Sequence, residues 1–317
     1  MFLTLTTDLI LIFLASFLTG LILISLFKRF SEKTGMFLDT AEGDILKIHT
    51  KKTSLLGGAA IVISVFSSLF FLDQQLILKI AGFFAGLIVI FLTLVIDDLK
   101  WKHGSRSKPI LKAIMLVSGA AISAFILFFS GIFFSFFPLA VLAIFFNFIY
   151  IFLSINSVNY QDGMDGLAGG LVLISLIGFF VLSLLSGNNL GLIISLSSMG
   201  AVLAFLFFNF PPAKIFMGDS GAYSLGFILA VLAFIFSKPY NILTVIGPFF
   251  VIGIPVFGGI FSNIRRIFLG KSIFLGDRSH FYDKMLSRGF SVKRTLFISC
   301  ALQIIFVAIG VFLYVYV

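Results

Sequence analysis

Leu190-Gly-Leu-Ile-Ile-Ser-Leu-Ser-Ser-Met-Gly-Ala-Val-Leu-Ala-Phe-Leu-Phe-Phe208 is a run of 19 residues without a charge. At 1.5 Å per residue a helix of this length spans the ~30 Å hydrocarbon core of a bilayer. Thr295 to Val317 reads the same way. Neither run alternates apolar and polar residues over about ten positions, which excludes an outer-membrane barrel. The chain as a whole agrees: of 317 residues 60% are hydrophobic and 11% charged, and 44 are Phe. Soluble domains hold about 45–50% apolar residues. The fold class is therefore all-α, a polytopic membrane protein.

Ten spans are expected, near residues 8–27, 54–72, 76–96, 109–129, 134–155, 166–186, 190–208, 220–237, 242–262 and 295–316. The first lacks a basic leader and a small-residue cleavage site, so it reads as a retained span rather than a signal peptide. Segments 28–52, 97–112, 209–219 and 263–294 hold 20 of the 22 Lys and Arg, and the opposite loops are short. The positive-inside rule makes the basic side cytoplasmic and, with ten spans, puts both termini outside. The net charge of +9 is thus mainly topological, with a secondary role in attracting anionic headgroups and phosphorylated substrates. No basic face on a soluble module points to nucleic acid. Residues 1–317 read as one domain. Cys300, the only cysteine, allows no intrachain disulfide and no cysteine-built metal site. Gly247-Pro248, Gly253, Pro255 and Gly258-Gly259 predict a kinked or two-piece ninth helix.

Eleven of the 13 acidic residues and all three His (His49, His103, His280) fall on the basic side. Asp97-Asp98 ends the third span, where the helix dipole disfavours negative charge; a snorkelling pair is the plain alternative to a Mg²⁺ or phosphate site. Asn156 to Gly170 carries Asn159, Asp162 and Asp165 among glycines, more than a helix cap needs. Phe216-Met-Gly218-Asp219-Ser-Gly221 puts another carboxylate at a helix start. One cap explains each Asp singly, but carboxylates from three helix ends on one face suit an oxygen-seeking ion held with substrate phosphate. Arg278 and His280, beside Arg265 and Arg266, suit a diphosphate clamp. Lys47 to Gly58, with Lys51, leads into a helix N-terminus able to receive phosphate, although positive-inside charge alone accounts for it.

In order and spacing, these five segments resemble the polyprenyl-phosphate N-acetylhexosamine-1-phosphate transferases, with the phospho-MurNAc-pentapeptide transferases as a more distant branch. Asp97-Asp98, Asn159-x-x-Asp162-Gly-x-Asp165-Gly166-Leu167-Ala and Phe216-Met-Gly218-Asp219-x-Gly221 carry the resemblance. It implies transfer of a sugar-1-phosphate from a UDP-N-acetylhexosamine, most simply UDP-GlcNAc, to a polyprenyl (undecaprenyl) phosphate. The products would be UMP and a lipid diphosphosugar, with Mg²⁺ or alternatively Mn²⁺ as cofactor. The setting would be the bacterial cytoplasmic membrane, with the active site at its cytoplasmic face and a homodimer in some members.

By the same resemblance Asp219 is the metal ligand, joined by Asp98, and Asp97 and Asp98 engage the lipid phosphate. A general base is not required of Asp97, because a phosphate monoester with a second pKa of about 6 is already largely dianionic at neutral pH. Asn159, Asp162 and Phe216 match nucleotide-holding positions, Phe216 stacking on uracil, with Asp165, Lys51 and Arg278 as further substrate-binding candidates and His280 as a catalytic one. Ser54 stands where many members have Pro, Ala222 where Ser is common, and Phe281-Tyr282-Asp283 where others carry further His; the last difference argues against the peptidoglycan branch. A secondary transporter of an anionic solute is the rival class, but it calls for ionisable residues near the bilayer midplane.

Overall fold

A computed structural model describes residues 2–39, 52–100, 109–270 and 280–316. They form α1 (Phe2–Thr34), α2 (Gly57–Phe66) continued by a 3-10 segment (Ser67–Phe71), α3 (Gln74–Lys100), α4 (Pro109–Phe129), α5 (Ala140–Asn159) and α6 (Leu167–Ser186). Then come α7 (Asn189–Asn209), α8 (Gly218–Phe236), α9 (Leu243–Ile252), α10 (Ile254–Phe268), α11 (Phe281–Ser287) and α12 (Val292–Val315). Two short strands, β1 (Leu38–Asp39) and β2 (Thr53–Ser54), pair antiparallel.

Among the described residues eight helices are long and apolar enough to cross a membrane, and α9 with α10, bent by 89°, adds a ninth if counted as one span. The expected count of ten full spans is corrected at residues 54–72. There the chain makes 10 α-helical and 5 3-10 residues, about 25 Å, short of a full bilayer core. Local serines explain the tightening: Ser67 Oγ donates to Ser64 O at 2.6 Å and Ser68 Oγ to Val65 O at 2.7 Å, drawing carbonyls out of the regular ladder. The fifth helix also starts later than expected, at Ala140 rather than near 134. Pro138 disfavours helix before it, and the Phe134 and Ser135 amides turn to the side chains of Asn147 (2.8 Å) and Ser237 (2.9 Å). The two-piece ninth helix is present as expected, broken at Gly253.

α8 is the central helix, buried along nearly its whole length and packed on α2, α3, α5 and α9. Small residues permit this. A Cβ on Gly226 would lie 2.5 Å from the Ile155 Cα, and one on Gly58 2.5 Å from the Gly221 Cα. Outside the core, Phe129, Phe207 and Phe297 stand exposed, as expected of a lipid-facing surface.

Helix direction alternates, so one end of the bundle collects the end of α1, α3, α5 and α7 with the start of α2, α4, α6 and α8. Contacts such as Gly58 N to Met217 O (3.0 Å) and Gly166 N to Asn209 Oδ1 (2.9 Å) tie that end together. α8 and α12 finish at the opposite end, where the Phe236 and Tyr314 rings meet at 5.6 Å.

Candidate functional site

The start of α8 is the hub of the polar end. Its N-cap position, Met217, offers no side-chain acceptor, so the first amides of the helix need one from elsewhere. Asp98, in the last turn of α3 and 8% exposed, supplies it. Its Oδ1 accepts from the Asp219 amide (3.2 Å), and its Oδ2 accepts from the Ser220 amide (2.9 Å) and hydroxyl (2.8 Å). The negative charge that the C-terminal dipole of α3 disfavours is thereby placed against the positive end of α8. Gly218, at φ +69°, makes room: a Cβ there would meet Asp98 Oδ2 at 2.9 Å.

Asp219 lies in the first turn of α8 and is partly exposed. Its Oδ2 pairs with the Lys112 ammonium from α4, and its Oδ1 accepts from Asn159 Nδ2 at the end of α5 (3.2 Å). Lys112 also stands over the Tyr223 ring, 5.8 Å from its centroid. Four helix ends, from α3, α4, α5 and α8, thus converge on two carboxylates, one lysine and one amide.

Two loops frame this centre. Asp165 Oδ2 accepts from the Ala213 amide (2.9 Å), while Asn209 accepts from Gly166 N and donates to Ile215 O (2.8 Å). Asp165 therefore clips the α5–α6 loop to the α7–α8 loop. Phe216, half-buried, is held through its backbone: its amide donates to Ser54 O (2.8 Å) and its carbonyl accepts from Gly57 N (3.0 Å). Asp162 sits in the same α5–α6 loop, its amide bonded to Asn159 O at 3.1 Å.

A second cluster adjoins the α5–α6 loop. His280, 6% exposed, shares a hydrogen bond with Ser262 of α10 through Nδ1 (3.1 Å). Its ring stacks with those of Tyr160 (5.2 Å) and Tyr282 (5.8 Å). Tyr160 donates to Asn263 Oδ1 (3.1 Å) and carries the Arg266 guanidinium over its ring at 5.2 Å. Arg266 is 1% exposed, a burial that a cation tolerates only among polar and π partners.

Asp98, Asn159 and Asp219 are thus brought together, Asp162, Asp165 and Phe216 line the adjoining loops, and His280 belongs to the second cluster. Lys51, Arg278 and the Asp97 side chain lie outside the described residues. Sequence reading had not singled out Lys112, Tyr160 or Ser220. In the sequence Lys112 counts as topological charge, although a lysine one turn inside an apolar helix is itself a signal of an acidic partner. Among the described residues no cluster of three or more His, Cys, Asp or Glu occurs. The donor set suits a hard cation held by one or two carboxylates and completed by substrate oxygens.

Fold and cluster together define a polytopic helical membrane protein whose polar chemistry is gathered at one end of the bundle. The family model described as glycosyl transferase family 4 matches residues 80–237, which include Asp98, Lys112, Asn159 and Asp219. The Bacillus subtilis protein named "Probable undecaprenyl-phosphate N-acetylglucosaminyl 1-phosphate transferase" is 30% identical over 300 residues, 93% of this chain and 82% of the relative. The decaprenyl-phosphate N-acetylglucosaminephosphotransferase of Mycobacterium leprae is 28% identical over 283 residues, covering 78% and 70%. A phospho-N-acetylmuramoyl-pentapeptide-transferase of Dictyoglomus thermophilum is 31% identical over 242 residues, covering 72% and 75%. The chain belongs to this glycosyl transferase family.

Proposed function

We propose that the protein transfers N-acetylglucosamine-1-phosphate from UDP-GlcNAc to undecaprenyl phosphate, for the synthesis of a cell-surface polysaccharide. The observation that carries this reading is the meeting of Asp98, Asp219, Lys112 and Asn159 at the start of α8. An oxygen of the lipid phosphate attacks the sugar-bearing phosphorus of the donor. The bond from that phosphorus to the UMP oxygen breaks, and UMP leaves with the electron pair. Both reactants are anionic, so cationic stabilisation and positioning outweigh proton transfer.

Mg²⁺, when bound, would neutralise charge on the diphosphate. Asp219 and Asp98 are the residues that would hold it. Lys112 is the nearby ammonium able to pair with a phosphate oxygen. Asn159, Asp162 and Phe216 border the space for the nucleotide, and the His280 cluster, with Arg278 two positions earlier in the sequence, supplies donors for the sugar phosphates. Asp165 acts by holding the two loops in register. The polar end is assigned to the cytoplasmic face of the inner membrane, in keeping with the basic loops, and both termini to the outer side, because α1 ends at the polar end and α12 finishes at the opposite one.

Purified protein incubated with undecaprenyl phosphate, Mg²⁺ and a panel of UDP-sugars is expected to release UMP and form a lipid diphosphosugar from UDP-GlcNAc. Folded protein that releases no UMP with any donor would sink the reading. Solute uptake into vesicles would then favour a transporter, a class that the polar groups at one bundle end do not support.

A further inference from the structure

Gln303 sits in α12, wholly buried and away from the residues given chemical roles above. Its amide lies against the break between α9 and α10. Gly253 at that break has φ 63° and ψ −126°, a conformation that only glycine holds without strain. Breaking a helix in apolar surroundings strands carbonyls on one side and amides on the other, each at several kcal/mol.

Gln303 serves both sides. Its Oε1 accepts from Ile254 N at 2.8 Å, and its Nε2 donates to Val251 O (3.1 Å) and Ile252 O (3.0 Å). The same Nε2 also donates to Ser175 Oγ of α6 at 2.9 Å, its two hydrogens being shared among the three acceptors, which ties the elbow to α6 as well as to α12. A Cβ on Gly253 would lie 2.6 Å from Oε1 and 2.9 Å from Nε2. The glycine and the amide are therefore matched in shape as well as in hydrogen bonding.

The elbow sets the direction of α10. This helix leaves α9 at 89° and carries Ser262 to His280, and Asn263 and Arg266 to Tyr160. Continued straight, residue 262 would lie roughly 19 Å from where the bend puts it, at 1.5 Å rise per residue.

We infer that Gln303 is a positioning residue: its amide holds the α9–α10 elbow and, through Ser262, Asn263 and Arg266, sets the place of His280 and Tyr160 at the site. The catalytic half of this inference rests on the proposed transferase reaction. The elbow itself does not.

The full-length protein, with Cys300→Ser, takes spin labels at Phe268→Cys on α10 and Phe297→Cys on α12. Both positions are well exposed, at 85% and 74%. The distance between labels is measured with Gln303, with Gln303→Leu and with Gln303→Glu. Leu removes every polar contact, whereas Glu keeps the acceptor and, when protonated, one donor. Gln303→Leu is expected to broaden the distance distribution or shift it by several ångströms and to lower UMP release about tenfold or more. Gln303→Glu is expected to restore much of both. Ser262→Ala added to Gln303→Leu is expected to lose little further, because both act along one path.

An unchanged distance in Gln303→Leu overturns the elbow role. A shifted distance with full turnover, or losses from Gln303→Leu and Ser262→Ala that multiply, overturns the link to the site. Should Gln303→Leu fail to fold, Gln303→Glu and Ser175→Ala carry the same two measurements, with a broadened distance and reduced turnover expected of Ser175→Ala. If the wild-type protein releases no UMP, the reaction falls and the distance alone decides the elbow.

Discussion

Asp98 caps a helix other than its own: its Oδ2 accepts both the amide and the hydroxyl hydrogen of Ser220, 122 residues further along the chain. One carboxylate thereby locks the end of α3 to the start of α8, and α8 presents Asp219 one residue before Ser220. The placement of the proposed metal ligand depends on this cap.

Asp98→Ala is expected to destabilise the protein by about 2 kcal/mol or more, because buried amides at the start of α8 lose their acceptor. Asp98→Asn, which keeps one acceptor oxygen, should lose less. Thermal unfolding in detergent orders the three proteins; equal midpoints would remove the capping role.

Lys112→Met separates stability from chemistry. Its pair with Asp219 is partly exposed, at 26% and 22% for the two side chains, so its loss should change stability by no more than about 1 kcal/mol. Turnover should nevertheless fall about 100-fold if the ammonium stabilises developing phosphate charge. Full turnover in the Met variant would exclude that role.

Chelation of divalent ions should abolish UMP release, and Mg²⁺ should restore it. Asp219→Asn should raise the Mg²⁺ needed for half-maximal rate, and Asp219→Ala should leave a folded protein with turnover lowered about 100-fold or more. A Mg²⁺ titration of Asp219→Asn that overlays the wild type would move the metal elsewhere.

Gly58→Ala and Gly119→Ala test the close packing of α8. A Cβ at Gly58 would press on Met217 O and on the Gly221 Cα, whereas one at Gly119 meets nothing nearer than Thr93 at 3.4 Å. The first is expected to destabilise by about 1–3 kcal/mol, the second to be neutral or mildly stabilising. Thermal midpoints that fail to separate the two would contradict the packing.

The helix limits show where sequence reading works. Spans expected at 166–186 and 190–208 appear as Leu167–Ser186 and Asn189–Asn209, because long uncharged runs in lipid leave the backbone no other way to satisfy its hydrogen bonds. The glycines and prolines around 253 announced a break, since no side chain elsewhere removes their conformational bias. Residues 54–72 misled, because serine-to-backbone bonds that tighten a helix leave no mark on hydropathy.

The site divides in the same way. Asp98, Asn159 and Asp219 are conspicuous in sequence, because charge and amides are rare in an apolar chain and their position at helix ends follows from local pattern. Which of them meet is a matter of long-range packing: Lys112 on Asp219, Asp98 on Ser220, Gln303 on the broken helix. Those pairings join residues 49 to 122 positions apart. Apolar composition and periodicity dictated a membrane bundle with its polar groups at one end. The partner of each polar group was chosen only when helices crossed at angles and depths set by small residues such as Gly58, Gly221 and Gly226, whose close approaches no local pattern encodes.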